Sequence, residues 1–283
     1  MKCSLCLLSG LFLAAILVGR SFATAEPGVI ERTIAKSFPV ARGGVLHLET
    51  GGGSIRVQTS NDLVVTILAK ERIHAGNEAN ADEILKGLAL SFAQQGNDIT
   101  ARAKFEGARP MFHSESWPPV GVDFLVTLPA SFAVDLDSGG GRTTVGDLEG
   151  SVRAHTGGGE LNLGRIAGGI EAATGGGSVR IESAENTLQV STGGGSIEAA
   201  ISGGLKGDCE LQTSGGSMRL TVNRTAAFNL DAVTSGSNVE IEGLSISVAK
   251  GGPSRGELAG SVNGGGPLLR LRSSGGSIEV LTR

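Results

Sequence analysis

The hydrophobic pattern of this chain is a short alternation broken at regular intervals by glycine. Four stretches aligned on the glycine triplets at 139–141, 157–159, 175–177 and 193–195 share apolar columns on both sides of the turn. Before it come Val134, Val152, Ile170 and Leu188, then Leu136, Ala154, Ala172 and Val190. After it come Thr143, Leu161, Val179 and Ile197, then Val145, Leu163, Ile181 and Ala199. Polar residues such as Arg153, Glu171 and Gln189 fall between them. A period of two on each side of a glycine corner predicts two short, half-buried strands per unit.

The turn marker, Thr or Ser followed by a glycine-rich turn, begins at Thr50, Ser138, Thr156, Thr174, Thr192, Thr213, Thr234 and Ser273, with steps from Ser138 of 18, 18, 18, 21, 21 and 39 residues. The less regular units keep the same columns: Cys209, Leu211, Met218 and Leu220 around Thr213, then Leu230, Ala232, Val239 and Ile241 around Thr234. Leu269, Leu271, Ile278 and Val280 do the same around Ser273. A unit of this size cannot bury its apolar face alone, so a fixed period predicts consecutive units stacked as parallel strands about 4.8 Å apart, each column becoming an interior ladder. The expected fold is all-β: a right-handed parallel β-solenoid, β-helix or β-roll-like, with 18–21-residue coils and a less regular N-terminal β cap. Its hand follows the general preference of parallel crossovers. Glycine is expected at the corner because a tight reversal needs positive φ or close approach of neighbouring backbones. The second corner, as at 146–150 and 164–168, is less regular, and the extra residues of the longer steps should fall there.

Ahead of the repeats, residues 28–72 read as strands, with 63–69 the most continuous, and 79–86 as a short helix. Residues 88–93 and 98–104 read as a hairpin around Gln95-Gly96-Asn97. Residues 106–121, with Pro110, Pro118, Pro119 and Gly121, read as a loop, and 122–128 as a strand. The division is therefore 1–25 signal peptide, 26–130 N-terminal strands, short helix and hairpin forming a cap or first sheet, and 131–283 Gly-rich repeats. Open ends of stacked sheets invite edge-to-edge association, and the N-terminal segment would protect one of them.

The signal-peptide reading rests on Lys2, an apolar run over 5–18, and Ala23-Thr24-Ala25 before Glu26. The run is broken by Ser9 and Gly10 and ends at Arg20, short of the about 20 residues a membrane span needs. Cys3 and Cys6 sit too early for a lipoprotein cleavage point. The protein is expected to be exported to the periplasm, cell surface or extracellular space, and not to be an integral membrane protein after cleavage. Loss of Lys2 and Arg20 with the signal takes the formal charge from −4 to −6, which disfavours nucleic acid as a partner. One cysteine, Cys209, then remains, so no intramolecular disulfide can form. Glycine supplies 46 of 283 residues against 8 prolines, about twice the usual ~7% glycine and unlike collagen or a disordered Pro/Gly tract. Tyr is absent and Trp117 is the single tryptophan, leaving few platforms on which sugar rings could stack.

The string Val122-Asp-Phe-Leu-Val-Thr-Leu-Pro129, followed by repeated T-G-G-G-S-I/V-x-I/V segments, resembles the bacterial putative-adhesin family of Gly-rich β-strand-repeat proteins, a domain of unknown function, over roughly residues 40–283. The resemblance implies an extracytoplasmic β-solenoid and an adhesive role. It brings no ligand and no catalytic residues to carry over.

The chain's own candidate chemistry is sparse. A phosphate-cradling loop needs Lys-Ser/Thr after the glycines and then a helix, and here a strand follows. A calcium-binding β-roll needs an aspartate in each turn, which is missing; Ser178, Ser196, Ser217 and Ser277 stand just after the glycines, and a hydroxyl alone is a poor calcium ligand. These serines and the turn threonines read as turn-capping hydrogen bonders. His47, His74, His113 and His155 show no metal-ligand spacing, and His113-Ser114-Glu115 reads as surface loop. Asp135 and Asp137 should share one strand face, which permits a carboxylate pair but reads more simply as outward-facing charge. Cys209 falls in an inward column and reads as a small core residue. No catalytic, cofactor-binding or metal-binding residue is assigned, no cofactor is expected, and ligand-binding residues stay unknown.

Three functions fit. The first is a non-enzymatic structural or adhesive cell-envelope protein whose flat faces bind an envelope protein or glycan. The second is a polysaccharide-acting enzyme, which requires a groove with clustered carboxylates and aromatics. The third is an accessory domain of an envelope-stress or signalling system.

Overall fold

A computed structural model describes residues 28–107, 118–251 and 256–283. The signal peptide expected at 1–25, with Cys3 and Cys6, lies outside the described residues, as do His113-Ser114-Glu115 and Trp117 of the expected loop.

The N-terminal part runs β1 (Val29–Pro39), β2 (Val45–Thr50), β3 (Ile55–Ser60), β4 (Val64–His74), the helix α1 (Glu78–Leu85), then β5 (Leu88–Gln95), β6 (Asp98–Phe105) and β7 (Val120–Pro129). The helix starts where Asn77 accepts the Asn80 N–H at 2.9 Å, satisfying one of the donors a first turn leaves open. The expected hairpin is β5–β6, paired antiparallel from Leu88–Phe105 to Gln95–Asp98 and closed by Gly96 at φ 62° and Asn97. The repeats follow: β8 (Ala133–Ser138), β9 (Thr143–Val145), β10 (Val152–Thr156), β11 (Leu161–Ile166), β12 (Ile170–Thr174), β13 (Val179–Ala184), β14 (Leu188–Thr192), β15 (Ile197–Ile201), β16 (Cys209–Thr213), β17 (Met218–Val222), β18 (Phe228–Thr234) and β19 (Val239–Ile241). The chain ends with β20 (Ile246–Gly251), β21 (Glu257–Val262), β22 (Leu268–Ser273) and β23 (Ile278–Thr282). Among the described residues no helix is long and apolar enough to cross a membrane.

Each glycine turn splits its unit between two sheets. One has eleven strands in the order β1-β4-β7-β3-β9-β11-β13-β15-β17-β23-β19, the other twelve in the order β20-β21-β18-β22-β16-β14-β12-β10-β8-β2-β6-β5. Pairing within the repeats is parallel and in register, so Val134, Val152, Ile170 and Leu188 do form one column and Val145, Leu163, Ile181 and Ala199 another. Both columns are buried, and the main apolar core runs from Phe38 and Leu46 near one end to Ile278 and Val280 near the other, with a smaller cluster of Ile73, Ala75, Ala81 and Val120 beside α1. The N-terminal strands join this core without a break: β2 pairs with β8, and β3 with β9. The extra residues of the longer steps fall at the second corner, where 202–208 replace the shorter links at 167–169 and 185–187.

The glycines meet the requirement for close approach rather than for positive φ at most corners. Only Gly53 (φ 121°) and Gly141 (φ 111°) of the turn triplets are left-handed. Elsewhere the first and third glycines lie against the backbone of the preceding unit: a Cβ on Gly175 or Gly177 would strike the carbonyl oxygen of Gly157 or Gly159. The turn threonines lock the same contact. Thr192 Oγ1 accepts the Gly195 N–H of its own turn at 3.2 Å and donates to the Gly177 carbonyl of the unit before at 2.7 Å, and Thr174 repeats the pattern with Gly177 and Gly159. The capping role belongs to these threonines. Ser178, Ser196 and Ser217 are exposed and bond between units instead, as in the Ser196 N–H to Ser178 Oγ contact at 3.2 Å.

Thr143 is the exception among the inward columns. It occupies the place of Leu161, Val179 and Ile197, is 1% exposed, and its Oγ1 has no hydrogen-bond partner. A buried hydroxyl without a partner loses hydration for nothing, whereas valine has the same shape. Thr143→Val is expected to stabilise the protein by about 1 kcal/mol, read as a higher urea midpoint with unchanged slope. A lower midpoint would show that the hydroxyl is bonded.

The final unit is not at the end of the stack. β22 lies between β16 and β18, and β23 between β17 and β19, so residues 268–282 fill a layer between two units that precede them in sequence. The 39-residue step is thus not two further layers. Its first half is β20 and β21, an antiparallel pair that extends the twelve-stranded sheet beyond β18.

Candidate functional site

The outer face of the twelve-stranded sheet carries a continuous polar surface. Strand register sets its side chains in rows. One row runs Thr100, His47, Asp135, Arg153, Glu171, Gln189, and a second runs Arg102, Glu49, Asp137, His155, Ala173, Ser191, each step crossing one strand pair. Neighbours in a row stand about 4.8 Å apart along the hydrogen-bonding direction. Complementary polar groups therefore meet: His47 Nδ1 and Asp135 Oδ2 at 3.1 Å, Arg102 and Glu49 at 3.4 Å, Arg153 and Glu171 at 2.9 Å, with His155 3.8 Å from Glu171.

Two shallow hollows lie side by side here. One, of about 370 Å³, is lined by His47, Leu48, Glu49, Thr100, Arg102, Asp135 and Asp137. The other, of about 270 Å³, spans the next strands and includes Arg153, Glu171, Thr187 and Gln189. Neither has an aromatic wall. Their ionic groups are 40–64% exposed, so each pair contributes at most about 1 kcal/mol to stability and remains available to another partner.

Asp135 and Asp137 share the outward face of β8, as their spacing requires. Asp135 is engaged by His47 rather than by Asp137. Of the histidines, His47 and His155 are on this face and His74 closes β4 elsewhere. Among the described residues no group of three or more His, Cys, Asp or Glu is arranged to hold a metal ion. Cys209 is buried in its inward column, and burial pushes its thiol pKa up, which suits an inert core residue rather than a nucleophile. Ion pairs one repeat length of 18 residues apart also occur off this face: beside Arg153–Glu171 in the rows stand Arg142–Glu160 and Arg180–Glu198 on the side of the eleven-stranded sheet and Asp147–Arg165 at the second corner. At the second corner the Arg165 backbone N–H and guanidinium both reach Asp147, at 2.9 and 2.8 Å, and hold its carboxyl below the ordinary range.

Among the described residues one carboxylate points inward. Glu71 lies on the buried side of β4 between Ala69 and Ile73, 5% exposed. Burial raises its pKa and the charge of Arg32, opposite it on β1, lowers it, with burial prevailing. Arg32 is itself held by Glu78 and Asp82 of α1, both at 2.7 Å. The folded protein thus binds the Glu71 proton more tightly than the unfolded chain does. The residue's contribution is fully present below the ordinary carboxylate range and is lost as pH rises through the folded value. Glu71→Gln is expected to raise the melting temperature at neutral pH and to leave it unchanged in acid; an equal shift in both would refute the assignment.

The fold and this face define an all-β protein of two large, mostly parallel sheets with a polar, solvent-exposed flank. Similar solved structures include one described as a putative cell adhesion protein from Clostridium sporogenes, 13% identical, with TM-score 0.36, covering 90% of this chain and 100% of that one. Another, described as a putative adhesin from Bacteroides fragilis, is 12% identical with TM-score 0.39, covering 89% of this chain and 97% of that one. No protein-family model matches the chain, and no curated protein matches it significantly.

Proposed function

We propose that the protein is an exported, non-enzymatic β-solenoid of the cell envelope, structural or adhesive, whose twelve-stranded sheet binds an envelope protein or a glycan across its outer face. The observation that carries the reading is the double row from Thr100 and Arg102 to Gln189 and Ser191, a flat surface of regularly spaced donors and acceptors. An extended polymer with a repeating polar backbone matches such a surface better than a compact small molecule does, because the hollows are shallow and open. In-register parallel stacking supports the solenoid, with right-handed coils as the general rule for such crossovers. Residues 26–130 are assigned as the N-terminal cap or first sheet and 131–283 as the repeat region. Export follows from the leader at 1–25.

The test is a binding screen of purified residues 26–283 against a glycan array, peptidoglycan fragments and envelope fractions, with and without calcium. A ligand whose affinity falls at least tenfold in His47→Ala/Arg153→Ala, with the melting temperature retained, supports the reading. A ligand indifferent to both substitutions moves the site off this face. Binding to nothing in any condition removes the adhesive role.

A further inference from the structure

We infer that the layer between the β16/β17 and β18/β19 units is an exchangeable binding slot, filled in the monomer by the chain's own C-terminal unit and able to accept the same unit from a second copy, giving a reciprocally swapped dimer. The inference is independent of any ligand for the polar face.

The slot repeats on both of its sides the contacts that join the other units of the stack. Cys209 and Leu211 face Leu269 and Leu271, which in turn face Leu230 and Ala232; Met218 and Leu220 face Ile278 and Val280. Ser273 Oγ donates to the Gly216 carbonyl at 3.0 Å, and Thr234 Oγ1 to the Gly276 carbonyl at 2.6 Å. Arg219 meets Glu279 at 2.8 Å. Until residues 268–282 arrive, the chain holds four facing strand edges, on β16, β17, β18 and β19, with unpaired N–H and C=O groups. Open edges of that kind pair with any strand of matching pattern, and another copy of the chain carries the matching pattern.

The connection into the slot favours exchange when it is shortened. β21 and β22 flank β18 in the sheet, so the link at 263–267 crosses two strand spacings, about 9.6 Å, and reverses direction on the way. It does so with Asn263 at φ 47°, Gly264 at φ 92° and Gly265 at φ 81°. Asn263 is the one non-glycine residue with positive φ among those described, and its side chain is pinned by the carbonyls of Arg224 and Ala226, both at 2.9 Å. Removing Gly264 and Gly265 leaves three residues, whose four Cα–Cα steps span at most about 13–14 Å when fully extended, which leaves little for the reversal once the crossing is made. Entry into the chain's own slot then strains the link, and entry into the slot of another molecule does not.

Two experiments decide the matter. In the first, residues 26–283 lacking Gly264 and Gly265 are sized by light scattering; a folded dimer that persists on dilution is expected, and a folded monomer would overturn the proposal. In the second, two full-length mature copies in a Cys209→Ala background, one carrying Arg219→Cys and the other Glu279→Cys, are unfolded together, refolded at increasing concentration and oxidised. A mixed disulfide above the level set by chance collision of exposed thiols requires residue 219 of one copy to lie beside residue 279 of the other. It is expected to increase with concentration, while a Glu198→Cys copy mixed with an Arg219→Cys copy, neighbours outside the slot, should stay at the chance level. Absence of the 219–279 link, or equal linking of the control pair, would overturn the proposal even if the shortened chain does not fold.

Discussion

Ile181→Asp is expected to cost roughly 4–5 kcal/mol, enough to unfold much of a protein whose total stability is about 5–15 kcal/mol. Ile181 is 2% exposed and stands between Leu163 and Ala199 in a column that continues through Val145 on one side and Leu220 on the other. Aspartate there removes an apolar side chain from the ladder and places a carboxylate where its apolar neighbours offer no cation or donor. Local repacking gives little relief, because both flanking units are fixed by their own backbone ladders. Glu182, one residue on, faces solvent on the same strand. Glu182→Ala is therefore expected within about 0.5 kcal/mol of the parent. Thermal and urea melts of the pair test the register directly: a one-residue slip would exchange the two results. Similar melting of Ile181→Asp and the parent would mean that the column does not exist.

The columns were legible because period-two alternation and an 18-residue step are both strong signals, and together they specify which residues face each other. Val134 opposite Val152, or Leu161 opposite Val179, follows from counting. The position of the last unit was not legible, and the reason is physical. Leu269 and Leu271 complement Cys209 and Leu211 as well as they complement Leu230 and Ala232, so the apolar pattern does not choose between the end of the stack and the layer inside it. What distinguishes the inner place is polar and local: Arg270 lies 3.8 Å from both Glu210 and Asp231, which only a middle position allows. The candidate site was half legible. Charges 18 residues apart could be paired on paper, but His47 with Asp135 and Glu49 with Arg102 come together through strand pairings of the N-terminal part that have no repeat length. The histidines were read one at a time for metal spacing, and their role as members of polar rows depends on neighbouring strands, not on neighbours in sequence.

Gly177→Ala is expected to destabilise the protein by roughly 3 kcal/mol, whereas Gly176→Ala should be neutral or stabilising by up to about 1 kcal/mol. The two residues are adjacent in one turn and neither has a left-handed backbone, so conformational preference does not separate them. Surroundings do. A Cβ on Gly177 would overlap the carbonyl group of Gly159 and approach the Glu160 nitrogen to 2.8 Å, all of it backbone that is itself held in the preceding unit. A Cβ on Gly176 would come no closer than 4.0 Å to any neighbour, and alanine there restricts the unfolded chain at no cost in contacts. The collision at Gly177 also bears on the Thr192 hydroxyl, which donates to the Gly177 carbonyl, so displacement of this turn would propagate into the next unit. The measurement is the urea midpoint of each variant. Equal effects would show that the turns are not packed one on another, and with that the reason for glycine at the third position would disappear. The expected asymmetry also yields a tool: Gly176→Ala or larger substitutions change the surface of the glycine corner without disturbing the stack, so loss of ligand binding in such a variant would place the partner at the corner rather than on the polar face of the twelve-stranded sheet.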